Sequence, residues 1–506
     1  MKKIFLLFAL GLATANCLAQ QLSKKEINQL SQSAFPKAVA QLVDFLSLAN
    51  NGMDPKQIQK NKEAAEVWLQ ALGFTTKTLI TEGVPVLLAE KRSKSVQTLP
   101  TVLFYLQIDG QPVDPSKWEQ ENPYQAVFKT KKTDGSWEQI YLEQALKDPE
   151  SYVFARSASD SKGPAVSLFA ALKILKEQDI QLPFHIKLLL DFQEEMGSPT
   201  LSKAVESHKD ALAANYLLIM DGARHLSNKP TLTFGARGIA TAKLIVYGPK
   251  VPLHSGQYGN YAPNPVFETA ALLAGLKTSD GQVKLPGFYS GIQISEKDQR
   301  FMAAIQEDTT ATNARLGIAK RDAIGNGYQE ALQYPSLNIR GLQAGWVNEQ
   351  VRTIIPDRVT VEIDMRLVPE SDGKSLMEGL KTYIQNQGYY LTDGAPTDAQ
   401  RKIHAKLASF SYKLGSKPFR TPMDGPLAIH LSKAMEHVFG SHFILMRTTG
   451  GSQPIAPFIN TLGIPAVSIR IPNPDNNIHS PNENLKLQNF KEGIMTCLSI
   501  LSTPIE

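Results

Sequence analysis

Cysteine is scarce in this sequence, which holds only Cys17 and Cys497. Cys17 lies in an N-terminal segment typical of a cleaved secretory signal, so the mature chain would keep one cysteine and form no internal disulfide. A lipid anchor on Cys17 is disfavoured, because Asn16 is bulkier than the small residue that usually precedes a lipid-modified cysteine. The fold must therefore rest on apolar cores, and 506 residues with a hydrophobic content of 42% are ample for two domains.

The sequence also lacks a long apolar run. Residues 1–19 contain Lys2 and Lys3, an apolar run from Ile4 to Ala13 and small residues ending at Ala19, which is the pattern of a signal peptide. This run is too short for a permanent membrane anchor, and no later stretch approaches the ~20 apolar residues that a span needs. We expect an exported protein, periplasmic or extracellular, without a stable membrane span.

A strong excess of charge of either sign is absent too. The formal charge is +5 for the whole chain, and removal of the signal would take away two of its lysines. The charges are scattered, and no basic stripe with interleaved aromatic residues is present. The sequence therefore predicts no nucleic-acid partner.

Several apolar strands that end in acidic residues are present. Helical patterns separate these strands, which predicts a parallel sheet whose strand ends share one edge, where ligands bind in open α/β folds. Each of these acidic residues, taken singly, can also have a purely structural role, for example in an Asx turn or a surface acidic pair. The strands with their carboxylates are residues 101–106 with Asp109, residues 184–190 with Glu194 and Glu195, and residues 216–220 with Asp221.

Two further polar residues fit the same edge. Asp160 precedes the apolar helix 165–175, where it could be only an N-cap, and His479 follows the last apolar strand, residues 465–471, where it could be only a loop histidine. The set Asp160, Glu195, Asp221 and His479 is rich in oxygen and suits zinc, manganese or cobalt. With Glu194 as the base, it predicts metal-assisted hydrolysis.

The fold class that we predict is α/β, with an inserted second domain. From residue 235 the pattern changes to strand, helix, strands and helix, which is typical of an α+β layer. We expect a catalytic domain with a mostly parallel sheet flanked by helices, at residues 20–233 and 396–506. An α+β ferredoxin-like lid domain, residues 234–395, interrupts it. The loop at residues 278–333 is long enough to be functional or to contain short elements.

In their order along the chain, these motifs resemble those of the M20 family of co-catalytic metallopeptidases, closest to its carnosinase-like dipeptidase branch. The resemblance covers nearly all of residues 21–506. The motifs that carry it are Asp160-Ser161-Lys162-Gly163, Glu194-Glu195, Asp221-Gly222, His254-Ser255-Gly256, Asp364-Met365-Arg366, Gly450-Gly451-Ser452 and His479-Ser480-Pro481-Asn482-Glu483.

The resemblance implies a role for each motif and two zinc ions, with manganese or cobalt as alternatives. Asp160 would bridge the metals, Glu195 and His479 would complete one site, and Asp221 would help to complete the other. Glu194 would take a proton from the attacking water and pass it to the leaving amine. The resemblance also implies a homodimer formed through the lid, in which His254 reaches the active site of the opposite subunit. The substrate carboxylate would be held by Arg366, Gly450, Gly451 and Ser452.

Gln107 departs from the family pattern. The family has a histidine metal ligand there, whose ring Asp109 would orient, but the first histidine of this chain is His185. A glutamine amide oxygen is a neutral and weaker ligand, so we expect the second metal site to be weak, moved toward manganese or magnesium, or empty. Arg447 also lies one position earlier than the arginine of the relatives, which weakens a substrate role.

The function that these residues predict is an exported, metal-dependent hydrolase that cleaves the amide bond of a dipeptide or other small peptide. An acyl-amino-acid amidohydrolase is the alternative enzyme, because both reactions pass through the same tetrahedral intermediate. A third reading, supported by Gln107 alone, is a catalytically weak relative that binds a small peptide or amino acid without turnover.

Overall fold

The computed structural model describes residues 21–94, 98–451 and 455–505. The expected signal peptide, residues 1–19, lies outside the described residues. Within the described part of the chain, no helix combines the length and the apolar content that crossing a bilayer requires.

The helix expected at residues 165–175 is observed at Lys162–Glu177. Ser23 and Glu26 form a capping box at the first helix, and Asp54 caps the second. The helices are α1 Lys24–Leu46, α2 Pro55–Ala71, α3 Leu142–Ala145, α4 Lys162–Glu177, α5 Leu201–Ser207, α6 Lys209–Leu212, α7 Ser255–Tyr258, α8 Pro265–Ala274, α9 Glu296–Ala303, α10 Thr309–Leu316, α11 Tyr328–Ala331, α12 Gly373–Asn386, α13 Asp398–Ile403, α14 Pro426–Phe439, α15 Ala456–Leu462 and α16 Leu487–Ser502.

The strands form three larger sheets and two short ribbons. They are β1 Thr75–Leu79, β2 Val86–Lys91, β3 Thr101–Gln107, β4 Val127–Lys131, β5 Trp137–Ile140, β6 Ser151–Phe154, β7 His185–Asp191, β8 Tyr216–Ile219, β9 Thr231–Thr233, β10 Gly235–Ala236, β11 Gly238–Tyr247, β12 Leu253–His254, β13 Ser336–Gln343, β14 Ile354–Ile355, β15 Arg358–Leu367, β16 Tyr390–Leu391, β17 Leu407–Leu414, β18 Phe419–Arg420, β19 Ile444–Met446, β20 Ala466–Arg470 and β21 Asn484–Lys486.

The largest sheet has eight strands in the order β1-β2-β7-β3-β8-β20-β9-β19. Its central strands β7, β3, β8 and β20 are mutually parallel. Side chains alternate across β3: Phe104 and Leu106 join the core beneath α1, α4, α14 and α16, while Leu103 and Tyr105 join the core beneath α5, α6 and α15. The expected mostly parallel sheet with flanking helices is confirmed.

A second sheet has five strands in the order β13-β15-β11-β17-β16, with α8 and α12 packed against it. The boundary expected at residue 395 lies before β17, but β17 pairs with β11 from Leu407 to Leu414. The second sheet therefore extends beyond that boundary. The reason is physical: β17 completes the hydrogen bonding of β11, and its Ala408, Phe410 and Tyr412 pack into the core of this sheet.

Two further regions contain short elements, and the sequence pattern anticipated them only in the second region. In the first, the chain between Gln107 and Asp160 forms β4, β5 and β6, which join β21 in a four-stranded sheet of order β21-β6-β4-β5. The expected long loop at residues 278–333 contains the short helices α9, α10 and α11. β6 leads directly into the loop that carries Asp160, so this small sheet helps to position the candidate site.

Candidate active site

Asp160, Glu195 and His479 converge at the carboxyl edge of the large sheet. Each offers one ligand atom, and the three atoms lie within 4.8 Å of one another. His479 Nε2 is 3.0 Å from Asp160 Oδ2 and 3.2 Å from Glu195 Oε2. The hydrogen bond to Asp160, and to a smaller extent the one to Glu195, raises the pKa of His479 to about 10. Two carboxylates and an imidazole form a donor set that fits a zinc-type cation.

Glu483 joins the Asp160 loop to the loop that follows the site histidine. Its fully buried carboxylate accepts the backbone N–H groups of Ser159 and Asp160, each at 2.9 Å, and the Ser159 hydroxyl at 2.8 Å. Arg156 Nη1 donates to the other carboxylate oxygen at 2.7 Å. Sequence reasoning assigned no role to Arg156 or Glu483, although Glu483 stands at the end of the histidine motif. This ion pair and its hydrogen bonds hold the two ligand-bearing loops together.

Asp109 positions the two glutamates through their backbone. Its Oδ1 accepts the N–H of Glu194 and its Oδ2 accepts the N–H of Glu195, both at 3.0 Å. Burial, followed by the charges of nearby carboxylates, raises the pKa of Asp109 to about 8. Gln111 Nε2 also donates to Glu195 Oε2 at 2.8 Å, a contact that sequence reasoning missed. Asp109 therefore has a positioning contact that does not depend on a histidine ring.

Glu194 lies in a pocket of negative charge. Burial raises the pKa of Glu194 well above its usual range, and four neighbouring carboxylates add to this effect. A raised pKa makes the ionised carboxylate a stronger base, which suits proton transfer from a water molecule. The four neighbours are Asp221, Asp160, Glu195 and Asp109.

The residues expected at the second metal position surround a hydroxyl group. Ser161 Oγ lies 2.9 Å from Asp160 Oδ1, 3.3 Å from Gln107 Oε1 and 3.4 Å from Asp221 Oδ1. Gln107 is buried, and its Nε2 has no hydrogen-bond partner among the described residues. This set offers no imidazole and one neutral amide, so it does not fit a second zinc ion.

Arg366 lies in the second sheet, on β15, with its Nε 3.7 Å from Asp364 Oδ2. Burial lowers the pKa of Arg237, and the nearby charge of Arg366 lowers it further. A Cβ atom placed on Gly450 would lie 3.5 Å from Arg237 Nη2. The structure thus groups two arginines with the bend formed by Gly450 and Gly451, here called the glycine bend. Sequence reasoning missed Arg237, because no motif contains it.

The glycine bend comes after Thr449, which forms an isolated bridge with Ala236. Gly451 is exposed, and the expected substrate residue Ser452 lies outside the described residues. Arg447 is engaged elsewhere: its Nε donates to Asp298 Oδ1 at 2.8 Å, and its Nη1 donates to Gln333. These bonds direct Arg447 away from a substrate role.

His254 lies apart from these groups, on the ribbon formed by β12 and β14. It is exposed, and its Nδ1 accepts the N–H of Gly256 at 3.0 Å. Within the described chain, no hydrogen bond or ion pair joins His254 to the acidic cluster. The residues that the structure does bring together at the sheet edge are Gln107, Asp109, Asp160, Glu194, Glu195, Asp221 and His479.

Sequence relatives of this chain are named as peptidases. Residues 104–503 match the model of peptidase family M20/M25/M40. The Beta-Ala-His dipeptidase of Homo sapiens is 26% identical over 415 residues, which cover 81% of this chain and 75% of that protein. The Cys-Gly metallodipeptidase dug1 of Schizosaccharomyces pombe is 26% identical over 357 residues, which cover 69% of this chain and 72% of that protein.

Solved structures show the same fold. The crystal structure of human carnosine dipeptidase 1 has a TM-score of 0.71 at 23% identity and covers 96% of this chain and 99% of its own. That of the M20 family metallo-carboxypeptidase Sso-CP2 from Sulfolobus solfataricus has a TM-score of 0.73 at 24% identity and covers 92% and 99%. Because the family model spans most of the sequence, this chain belongs to peptidase family M20/M25/M40 and is an M20-like metallopeptidase.

Proposed function

We propose that this protein is a metal-dependent hydrolase that cleaves the amide bond of dipeptides or other small peptides, with Glu194 as the general base. The observation that carries the proposal is the convergence of His479 Nε2 on Asp160 and Glu195 at 3.0 and 3.2 Å. The names of the relatives, a Beta-Ala-His dipeptidase and a Cys-Gly metallodipeptidase, support a dipeptide as the substrate.

Asp160, Glu195 and His479 would hold one cation, with zinc preferred and manganese or cobalt as alternatives. When bound, such a cation polarises a scissile carbonyl and makes water more acidic. Glu194 receives a proton from the attacking water and delivers it to the departing amine nitrogen, which leaves the acid and amine products. Asp109 holds the backbone N–H groups of both glutamates, so that Glu195 can bind the cation while Glu194 transfers the proton.

The group of Arg237, Arg366 and Gly450 would bind the terminal carboxylate of the peptide. Guanidinium groups pair with carboxylates through parallel hydrogen bonds, and burial of Arg237 strengthens such a pair. Gly451 and Ser452 would extend this site along the bend. The catalytic residues would thus lie at the edge of the large sheet, and the carboxylate contacts would come partly from the inserted lid domain.

The proposal includes an exported homodimer. The N-terminal residues 1–19 have the pattern of a signal peptide, and export would place the mature protein in the periplasm or outside the cell. His254 is exposed on the β12–β14 ribbon, which is consistent with a role at the active site of a partner subunit. Sedimentation of mature wild-type protein tests the dimer, and His254→Ala complementation in mixed dimers tests the shared site.

The central experiment measures hydrolysis of a panel of dipeptides and acyl-amino acids by the mature protein with added zinc, manganese or cobalt. Glu194→Gln serves as the background, and Glu143→Gln, an exposed change in α3, is the matched control. Turnover of dipeptides that only Glu194→Gln abolishes is expected. Turnover of acyl-amino acids alone would identify an amidohydrolase. Binding of peptides without turnover under any metal would overturn the hydrolase proposal.

A further inference from the structure

Three polar side chains lie at the carboxyl ends of adjacent parallel strands of the large sheet. Tyr105 of β3 and Ser468 of β20 are both paired with Ile219 of β8. Two residues further along, the chain reaches the last residues of β3 and β20 and a residue just beyond the end of β8, and these three residues form a row at the carboxyl edge. The members of this row are Gln107, Asp221 and Arg470.

Arg470 is a buried member of the row and is only 8% exposed. Its guanidinium packs directly on the backbone beside Asp221: a Cβ atom added to Gly222 would lie 1.6 Å from Arg470 Nη1. Gly222 also has a φ of +90°, so both the contact and the backbone favour glycine there. Arg470 Nε and Nη2 have no hydrogen-bond partner in the described part of the chain. Burial lowers the pKa of Arg470, and the charge of nearby Asp221 opposes this shift. A buried arginine nevertheless keeps its positive charge.

The space between the row and Asp160 holds the Ser161 hydroxyl. Its Oγ is within 3.4 Å of oxygens of Gln107, Asp160 and Asp221. A hydroxyl donates a single hydrogen, so it joins these oxygens without supplying the charge that a cation would supply. Oxygen atoms that would converge on a second metal ion converge here on a neutral group.

From this row we propose that the active site holds a single divalent cation, and that the guanidinium of Arg470 takes the place of the second cation of a co-catalytic centre. The inference rests on the proposed function, because it assumes that Asp160, Glu195 and His479 bind the one cation. The positive charge of Arg470, which packs on Gly222, partly offsets the negative charge of Asp221. A divalent cation in the row would be repelled by that fixed charge and would find a neutral amide at Gln107.

Metal stoichiometry tests the inference without relying on activity. Metal-stripped wild-type protein is titrated with Zn²⁺ and with Co²⁺, and bound metal is measured after desalting. We expect one equivalent per chain, which Asp221→Asn retains and His479→Ala loses. The inference is wrong if the wild-type protein binds two equivalents of metal and Asp221→Asn binds one. It is also wrong if the wild-type protein binds one equivalent and Asp221→Asn binds none. No bound metal in the wild-type protein overturns the proposed function instead.

Restoration of the second site provides the complementary test. The double variant Gln107→His with Arg470→Gly is expected to bind a second equivalent at least 100-fold more tightly than the wild-type protein binds any second ion. The control is Gln139→His with Arg358→Gly, which makes the same changes at exposed positions. A folded double variant that still binds one equivalent contradicts the proposal. Because loss of a buried arginine can unfold the protein, the Asp221→Asn comparison decides the question independently.

Discussion

Glu483 accepts the backbone N–H of Asp160 at 2.9 Å, so a buried carboxylate on one loop sets the position of a ligand on another. The same side chain pairs with Arg156, and both side chains are almost fully buried. Two loops that are far apart in sequence are thereby joined behind the candidate metal site. The predictions below follow from this arrangement and from the contacts around it.

Glu483→Gln is expected to destabilise the protein by about 3–5 kcal/mol, because it leaves the buried Arg156 without its charge partner. It should also weaken binding of the first cation by roughly 10–100-fold, as loss of a supporting contact to a ligand does. Urea unfolding and competitive zinc titration measure the two effects. Glu121→Gln, at an exposed position, is the control, and equal stability of the two variants would contradict the prediction.

Asp109→Asn is expected to lower kcat much more than it raises KM. An asparagine accepts only one of the two N–H groups that Asp109 holds, so Glu194 and Glu195 lose their common support. Cation affinity should fall by roughly 10–100-fold as well. Steady-state kinetics together with a cobalt titration separate these effects, and an unchanged affinity with a raised KM would refute the positioning role.

Addition of zinc to the metal-free protein is expected to raise its thermal stability. At a free zinc concentration of about 100 times Kd, the gain in the free energy of unfolding is about 2.7 kcal/mol. Chelation should reverse the gain and abolish turnover. In His479→Ala the gain should disappear, because one of the three clustered ligand atoms is gone. Calorimetry with and without metal measures the effect, and an equal gain in His479→Ala would exclude the cluster as the site.

His430 gives a pH dependence that is separate from the active site. Burial lowers the pKa of His430 to about 4, and its Nδ1 donates to the carbonyl oxygen of Pro504 at 3.2 Å. Between about pH 6.5 and pH 4 the unfolded chain binds a proton that the folded chain does not, so stability falls as the pH falls. The loss is at most about 3.5 kcal/mol, from roughly 1.4 kcal/mol for each pKa unit.

Urea unfolding of metal-free protein across this pH range measures the contribution of His430. His430→Gln retains a donor for Pro504 but does not titrate, so the difference between wild type and variant should change with pH. His442→Gln, at an exposed position, should leave the wild-type slope unchanged. Parallel curves for wild type and His430→Gln would show that this histidine is not the group responsible.

Local pattern predicted most elements around the site to within a few residues. The strand expected at residues 184–190 is observed at His185–Asp191, and the helix expected at residues 165–175 is observed at Lys162–Glu177. These segments have continuous apolar runs or a clear helical period, which depend on neighbouring residues alone. The four-stranded sheet before Asp160 was missed, because β4 and β5 are short and partly exposed, and β6 and β21 are too short to give a clear period.

The sequence by itself determined the order of the motifs, the fold class and the acidic residues at strand ends, because these follow from local periodicity and composition. Only the tertiary structure decided which distant residues share an environment. Gln107, Asp221 and Arg470 become neighbours through the pairing of β3, β8 and β20, and Glu483 reaches Asp160 through loop packing. Strand register and burial are properties of the folded chain, so no local pattern could place a guanidinium beside Asp221.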